Sequence, residues 1–333
     1  MTTKKTTKAT STSKPAPPKL KIKIGSRPSK LALAQASIVR ARMTAQIPGA
    51  EIEVVEIRTS GDKLTTASLA DIGGKGLFIK ELEQALAARQ IDLAVHSMKD
   101  LPAILASQFR VSCVVERENT ADVLVTRDGS TLAALPAGAK LGTSSSRRRF
   151  QALRVNRGLE VVPLRGNVDT RLGRVVDGSM DAIIVAMAGL KRLGRLADVK
   201  FVELDASDFV PTGAQGALAI ETLADRSDTG SKDIDDALAA LNDARAFYET
   251  AAERAFLARI EASCTTPVGV RATVAATKLT MRAILFSPDG ARELSESIED
   301  PLDPKLASSS AENIGKKLAD KMLARGAAAM LRS

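Results

Sequence analysis

The sequence is poor in the side chains on which several common functions depend. None of its 333 residues is Trp and only one is Tyr, so aromatic side chains cannot be the main platform for stacking nucleic-acid bases. One His and two Cys are too few for the usual zinc sites. No apolar run approaches the roughly 18 residues of a transmembrane helix, and no signal-peptide core is present. We therefore expect no single-strand nucleic-acid binding, no metal site and no membrane insertion.

Positive charge is concentrated at the N-terminus. Residues 1–24 contain seven lysines and no acid, so they account for seven of the nine excess positive charges of the chain. We expect residues 1–19 to form a disordered basic tail. The alternative is an organelle transit peptide, because Thr, Ser and Lys are abundant there, although the segment lacks Arg and an apolar face. The remainder is nearly neutral, which argues against a nucleic-acid-binding surface.

The two cysteines lie in different surroundings. Cys113 belongs to the apolar segment 111–115, which is typical of a buried strand, and we expect it to be a small core residue. Cys264 belongs to the polar, turn-like segment 260–269, where an accessible thiol invites a chemical role. This arrangement does not indicate a disulfide. It fits a reducing compartment, so we expect a cytoplasmic protein.

Basic and small polar residues follow four apolar, strand-like segments. The apolar segments are 91–95, 140–143, 161–164 and 181–187, and the polar clusters behind them are 96–100, 144–149, 165–167 and 188–192. Ligands of open α/β sheets bind beyond the carboxyl ends of strands, and helix N-termini there attract anions. The pattern predicts a cleft for a ligand with many negative charges, with one acid, Asp100, among the cations.

Each basic cluster also has a structural interpretation. The segment 144–149 could be an N-capped helix start, although three hydroxyls and three arginines exceed what capping needs. We interpret it as an anion site, because the guanidinium fork pairs with a carboxylate through two hydrogen bonds. Taken alone, Arg165 and Arg171 would be ordinary surface residues, and Arg192 fits a helix surface as well as a binding site.

Asp100 also has two interpretations. It could be a salt-bridged loop acid before Leu101 and Pro102, or a carboxylate that handles a proton or stabilises a developing cation. The spacing leaves both open. We expect the single His96 to be structural at a strand end rather than a catalytic base.

The order of elements predicts an α/β protein of three domains. The first would contain a βαβαβ unit, which implies a parallel, twisted sheet, and the second repeats the alternation of strands and helices. Helix 244–260, strands 270–276 and 279–286 and helix 308–330 predict a small α+β third domain, whereas 225–235 is expected to be a polar surface stretch. We assign residues 20–116 and 217–240 to domain 1, 117–216 to domain 2, and 243–333 to domain 3.

Long motifs at these positions resemble one known family. They are residues 95–102 (VHSMKDLP), 73–78 (GGKGLF), 135–138 (LPAG), 142–145 (GTSS), 164–172 (LRGNVDTRL) and 188–194 (AGLKRLG). Together they resemble the porphobilinogen deaminases, also called hydroxymethylbilane synthases. The resemblance extends roughly over residues 20 to 330, which is nearly all of the chain beyond the tail.

The resemblance implies a fold, a cofactor and an activity. The fold would comprise two α/β domains similar to periplasmic binding proteins, with the active cleft between them, and the small α+β C-terminal domain. A dipyrromethane cofactor would be held by a thioether to Cys264. The enzyme would condense four porphobilinogen molecules head to tail onto this primer, with loss of ammonia, and release hydroxymethylbilane for tetrapyrrole biosynthesis. It would act as a monomer.

The resemblance also implies roles for individual residues. Asp100 would be catalytic. The cofactor would contact Cys264, Lys99, Thr143, Ser144, Ser145, Arg147, Arg148, Arg165, Gly166, Asn167, Arg171 and Arg192. The substrate would contact Arg27, Ser29, Asp62, Lys75, Phe78 and Gln215. The loop 60–76 would be a mobile lid.

Three positions depart from the family pattern. Asp71 stands where a Lys is common, Ala214 where the hinge commonly has Gly, and Ala262-Ser263 where Gly-Gly commonly precedes the cysteine. We expect a slightly stiffer hinge and a different shape of the attachment loop. The alternative to an enzyme is a non-catalytic anion-binding protein of the same two-domain architecture, which would need neither Asp100 nor Cys264.

Overall fold

The computed structural model describes residues 20–63, 79–227, 232–263, 265–303 and 305–332, and this part is organised around three β-sheets. The first third contains β1 (Lys21–Ser26), α1 (Lys30–Gln46), β2 (Glu51–Glu56), α2 (Ser60–Lys63), α3 (Lys80–Ala87), β3 (Leu93–Ser97) and β4 (Phe109–Val115). The middle contains β5 (Asp122–Thr126), β6 (Lys140–Gly142), α4 (Ser146–Val155), β7 (Glu160–Val162), α5 (Val168–Val176), β8 (Ala182–Ala186), α6 (Met187–Arg192) and β9 (Lys200–Leu204). The last part contains β10 (Leu218–Leu223), α7 (Lys232–Leu241), α8 (Ala244–Arg259), β11 (Val268–Ala275), β12 (Lys278–Phe286), β13 (Glu293–Pro301), α9 (Ala307–Ala324) and α10 (Ala327–Arg332).

The first sheet is mixed: the three strands of the predicted βαβαβ unit run parallel, as expected, and one further strand is antiparallel. Its strand order is β2-β1-β3-β10-β4, and β1 pairs in parallel with β2 and β3. Strand β10 returns from the middle of the chain and lies antiparallel between β3 and β4. Its first residue, Leu218, therefore pairs with Ser97, the last residue of β3. Cys113 is completely buried on β4, as predicted, and burial raises the pKa of its thiol to about 12.

The second sheet has the order β7-β6-β8-β5-β9. Strands β6, β7 and β8 run parallel, so their carboxyl ends and the basic clusters behind them share one edge. Strand β5 is antiparallel to β8 and pairs Asp122, its first residue, with Ala186, the last residue of β8. Asp122 consequently lies at the same edge as the arginines.

The third sheet, β11-β12-β13, is antiparallel and packs against α8 and α9. Its core includes Phe256, Met281 and Leu318, all completely buried. With the two α/β sheets before it, this confirms the predicted fold class of α/β with a small α+β C-terminal part. Within the described residues, no helix is long and apolar enough to cross a membrane.

Several element boundaries differ from the prediction. The predicted polar stretch 225–235 ends inside helix α7, which buries Ile234, Leu238 and other apolar residues, while 228–231 lie outside the described residues. The predicted helix 308–330 is two helices, because the chain turns at Gly326 with φ of +94°. Strand β13 is rich in acids and was not predicted, since its apolar alternation is short.

Two helical glycines offer a matched test of this packing. A Cβ on Gly315 of α9 would lie 2.1 Å from the carbonyl oxygen of Ala252 of α8, whereas a Cβ on Gly173 of α5 would meet no atom within 4 Å. We expect Gly315→Ala to lower the free energy of unfolding by about 1–3 kcal/mol through overpacking. Gly173→Ala should raise it by about 0.5–1 kcal/mol through helix propensity. Denaturant melts of both variants would show these opposite signs, and equal effects would contradict the close approach of the helices.

Candidate active site

Asp100 lies beyond the carboxyl end of β3. The strand runs into a short 3-10 helix, Met98–Asp100, in which Met98 is buried while Lys99 and Asp100 are exposed. The backbone N–H of Met98 donates to the carbonyl of Ala217 at 3.0 Å, which ties this turn to the chain segment that leads into β10. Asp100 is therefore exposed to solvent on a turn whose backbone is hydrogen bonded to the segment before β10.

Asp100 and three arginines of the second sheet lie within electrostatic reach of one another. Burial and the repulsion of Arg148 and Arg165 lower the pKa of Arg171 to about 10, and the carboxylate of Asp100 opposes this shift. The structure thus brings together side chains that follow β3, β6 and β7, as the strand-end pattern suggests. The resulting site is cationic with one exposed acid in it.

Lys99 lies between Asp100 and the buried arginines. Its Nζ donates to Oε1 of Gln215 at 3.2 Å. Although the residue is exposed, desolvation, with repulsion from Arg148, lowers the pKa of its ammonium to about 8. Gln215 itself is completely buried, and its amide is engaged by protein groups. The amide therefore positions Lys99 in this structure, and a direct contact of Gln215 with substrate stays a prediction.

Arg147 and Arg148 share a buried carboxylate. Arg147 Nη1 lies 2.8 Å from Oδ2 of Asp122, and Arg148 Nη2 lies 2.7 Å from Oδ1. Both guanidinium groups are nearly buried and Asp122 is completely buried. Burial alone would raise the pKa of Asp122, but the two cations outweigh it and hold that pKa well below its ordinary value. Sequence reasoning missed Asp122, although an acid at the head of the apolar strand 122–126 is a signal that could have pointed to it.

Hydroxyl groups shape the start of α4. Ser145 is the N-cap residue and accepts a hydrogen bond from the N–H of Arg148 at 3.4 Å. The Thr143 hydroxyl is buried and accepts from the Ser145 N–H at 3.2 Å, and Ser144 Oγ donates to the carbonyl of Leu164 at 3.0 Å. These contacts fix the conformation of the loop that precedes the helix N-terminus. Free N–H groups at such a terminus favour anions.

The loop after β7 carries two further cations. Arg171 Nε donates to the carbonyl of Gly166 at 2.8 Å, and Gly166 has φ of +109°, which few other residues adopt. Asn167 is exposed at the N-cap position of α5, and Arg165 is half-buried. The loop presents the guanidinium group of Arg165, and its glycine backbone holds that of Arg171 on α5.

Arg192 approaches the site from α6. Its Nη2 donates to the carbonyl of Gly216 at 2.5 Å, and burial lowers its pKa to about 10 while Glu118 opposes the shift. Gly216 has φ of +88°, and a Cβ there would lie 2.3 Å from the carbonyl oxygen of Glu118. Arg192 therefore contacts the segment that connects the two α/β sheets.

Arg27 and Ser29 lie between β1 and α1. Ser29 is the N-cap of α1 and accepts from the N–H of Ala32 at 3.3 Å. Asp62 accepts from Arg27 Nε at 3.1 Å with one oxygen and from the Thr59 hydroxyl at 2.8 Å with the other. Asp62 consequently orients Arg27.

Four positions discussed from the sequence, Asp71, Lys75, Phe78 and Cys264, lie outside the described residues. The neighbours of Cys264 in the chain are described. Ser146 Oγ, in the first turn of α4, donates to the carbonyl of Thr265 at 3.0 Å, and the hydroxyls of Ser263 and Thr265 lie 2.9 Å apart. The chain that flanks the predicted attachment residue therefore contacts the helix that carries Arg147 and Arg148.

His96 belongs to the core of the first sheet. Its Nε2 lies 2.9 Å from the completely buried carboxylate of Glu221 on β10. The imidazole is 5% exposed and forms part of the packed interior of this sheet. The structural role that the sequence suggested for His96 agrees with this position.

Comparisons with known proteins give a consistent result. The family model "Porphobilinogen deaminase, dipyromethane cofactor binding domain" matches residues 22–231, and "Porphobilinogen deaminase, C-terminal domain" matches residues 247–324. The chain is 42% identical to the porphobilinogen deaminase of Syntrophotalea carbinolica over 92% of this chain and 93% of that protein. It is 44% identical to that of Chromobacterium violaceum over 92% and 96% of the two chains. A solved periplasmic binding protein of Salmonella typhimurium is 15% identical at a TM-score of 0.35, over 66% of this chain and 92% of that one.

The low pKa of Lys99 can be measured directly. We expect its amine to titrate near pH 8 rather than near its ordinary value of 10.5, because desolvation and neighbouring cations favour the neutral form. As the pH rises through about 8, the site loses this positive charge and its attraction for anions weakens. An NMR titration of ¹³C-methylated lysines would show the transition, and Lys99→Arg would identify the signal. A Lys99 signal that titrates above about pH 10 would contradict the desolvation described above.

Proposed function

The chain belongs to the porphobilinogen deaminase family, and from this premise we propose that it condenses four porphobilinogen molecules head to tail, with loss of ammonia, and releases hydroxymethylbilane. It would thus be a transferase of tetrapyrrole biosynthesis. The observation that carries the proposal is the group of Arg148, Arg165, Arg171 and Lys99 around the exposed carboxylate of Asp100. Each porphobilinogen carries two carboxylates, so the substrate and the growing product are polyanions that such a group suits.

The donors in the site fit a dipyrromethane group, which carries four carboxylates. Guanidinium groups, hydroxyls and the N-terminus of α4 are the donors that carboxylates need. We assign the contacts to Lys99, Thr143, Ser144, Ser145, Arg147, Arg148, Arg165, Gly166, Asn167, Arg171 and Arg192, with the covalent link at Cys264. When bound, the group supplies the pyrrole carbon to which the first substrate is joined.

Asp100 would perform the proton chemistry. Its carboxylate oxygens can accept hydrogen bonds from pyrrole N–H groups and stabilise the positive charge that develops on a pyrrole nitrogen as ammonia leaves. The same oxygens can take up the proton that the newly joined ring must lose. Lys99 and Arg171, which both interact electrostatically with Asp100, would hold the substrate carboxylates and so orient the ring against it.

Arg27, Ser29, Lys75 and Phe78 are proposed as further substrate contacts, with Asp62 orienting Arg27 and Gln215 orienting Lys99. The proposed domains, 20–116 with 217–240, 117–216 and 243–333, are supported by the three separate sheets. The fully buried, unpaired thiol of Cys113 supports a cytoplasmic location. We propose that one chain is the active unit.

The role of Asp100 predicts the behaviour of a conservative variant. Asp100→Asn keeps the shape but removes the charge and the proton acceptor, so we expect turnover to fall by at least about a hundredfold. Thermal melts should be unchanged, since Asp100 is exposed. The matched control is Asp236→Asn on the exposed face of α7, which should retain wild-type turnover. A well-folded Asp100→Asn enzyme with normal turnover would remove Asp100 from the proposed mechanism.

Intact-protein mass spectrometry tests the proposed function most directly. Protein produced in cells that make porphobilinogen should carry the added mass of two linked pyrrole units, and Cys264→Ser should lack it. Cys113→Ser is the control, because Cys113 is buried in the core and should leave the added mass in place. An unmodified wild-type chain would favour the alternative, an anion-binding protein without catalysis.

A further inference from the structure

Asp122 is a completely buried carboxylate that contacts three residues of the proposed site, two on α4 and one in the segment before β10. We propose that Asp122 is a positioning residue, which sets the orientation of Arg147 and Arg148 directly and that of Lys99 through Gln215. The inference rests on the proposed function, because it concerns how these cations meet the carboxylates of porphobilinogen. Asp122 is not itself a substrate contact, since none of its surface is exposed.

Both oxygens of the carboxylate are engaged by site residues. Oδ2 faces Arg147 Nη1 at 2.8 Å. Oδ1 accepts from Arg148 Nη2 at 2.7 Å, from Arg148 Nε at 3.2 Å and from Gln215 Nε2 at 3.0 Å. Two adjacent donors of Arg148 on one oxygen fix the plane of its guanidinium group, as a single contact would not.

Backbone carbonyls complete the fixation of both arginines. Arg147 Nη1 donates to Val210 O at 2.9 Å, and Arg148 Nη1 donates to Ile184 O at 3.0 Å. An arginine has five N–H donors, and these contacts with those to Asp122 engage three donors of Arg148. Because the guanidinium group is planar, these contacts also fix the direction of its remaining two donors.

The effect of Asp122 reaches the first sheet through one amide. Gln215 Nε2 donates to Asp122 and also to the carbonyl of Thr120 at 2.8 Å. With its nitrogen held by two acceptors, the amide must turn Oε1 the other way, and Oε1 accepts from Lys99 at 3.2 Å. Asp122 thus orients cationic side chains that follow strands of both sheets, although it belongs to the second sheet alone.

Positioning and simple charge neutralisation predict opposite results. If Asp122 only reduced the positive charge of the site, its removal would make the site more cationic and lower KM for an anionic substrate. If it orients the cations, Asp122→Asn should release them and raise KM for porphobilinogen by at least about tenfold. Because Asp122 does not touch the reacting atoms, kcat should change by less than about threefold.

A matched control separates positioning from stability. Glu221 is also a completely buried carboxylate beside a basic side chain, at 2.9 Å from Nε2 of His96, and it pairs with Ala94 inside the first sheet. Glu221→Gln and Asp122→Asn should both lower the melting temperature. Only Asp122→Asn should raise KM.

Two readouts do not depend on stability. In ¹⁵N NMR of the protein without substrate, the Arg148 Nε–H should be slow to exchange in the wild type and fast in Asp122→Asn, because its acceptor is lost. In a double-mutant cycle, Asp122→Asn should raise KM less once Arg148 is replaced by Met than in the wild type, because part of its effect acts through Arg148. If Asp122→Asn does not fold, Gln215→Leu tests the second arm, since it keeps both ion pairs and should raise KM by releasing Lys99.

The possible outcomes are distinct. A KM that falls or stays unchanged in folded Asp122→Asn, or additive effects in the cycle, would overturn the positioning role. An unchanged KM in Gln215→Leu would overturn the link to Lys99. If the wild-type protein itself does not consume porphobilinogen, the proposed function fails, whatever the variants show.

Discussion

Mutual repulsion among cations is the constraint around which this site is built. It contributes to the lowered pKa of Arg171 and of Lys99, where burial has already made the charged form less favourable. Two buried guanidinium groups without a counter-ion would be strongly destabilising, and Asp122 provides that counter-ion. One carboxylate against two arginines leaves a positive excess, which is what an anionic ligand requires. Asp122, the first residue of β5, is therefore needed to keep both buried arginines charged and in place.

The sheet topology explains why the counter-ion is available there. Strands β5 and β10 run antiparallel to their neighbours, so each begins where β8 or β3 ends. The chain therefore crosses between the two α/β sheets directly beside the cationic edge. The crossing segments are hydrogen bonded to each other, Glu118 N to Gly216 O at 3.1 Å, and Arg117 joins them to α8 through Glu249 and Glu253. Any change in the angle between the sheets would displace the residues of the proposed ligand site. Such a displacement suits an enzyme whose product lengthens stepwise.

Much of the site could be predicted from the sequence because its signals are local. Apolar runs followed by basic residues identified the ends of β3, β6, β7 and β8, and the resemblance supplied the chemistry. The part that was missed depends on distant pairings: Asp122 and Gln215 are 93 residues apart, and Lys99 and Gln215 are 116 apart. The direction of β10 was missed for the same reason, since nothing within Leu218–Leu223 indicates whether the strand runs parallel or antiparallel to its neighbours. The local sequence pattern predicts which residues follow a strand, but not which buried carboxylate forms ion pairs with them.

The backbone at Ala214 illustrates a conflict between residue type and conformation. Its φ is +60°, in the left-handed region that alanine seldom adopts, at a position where the family commonly has Gly. The side chain is buried, and the N–H donates to Glu253 of α8 at 2.5 Å. The conformation is thus imposed by the third sheet's helix rather than preferred by the residue, which makes this turn a locally frustrated point next to Gln215. The small C-terminal domain carries the proposed attachment cysteine. It also stabilises a backbone conformation, in the connection between the other two domains, that is intrinsically unfavourable for this sequence.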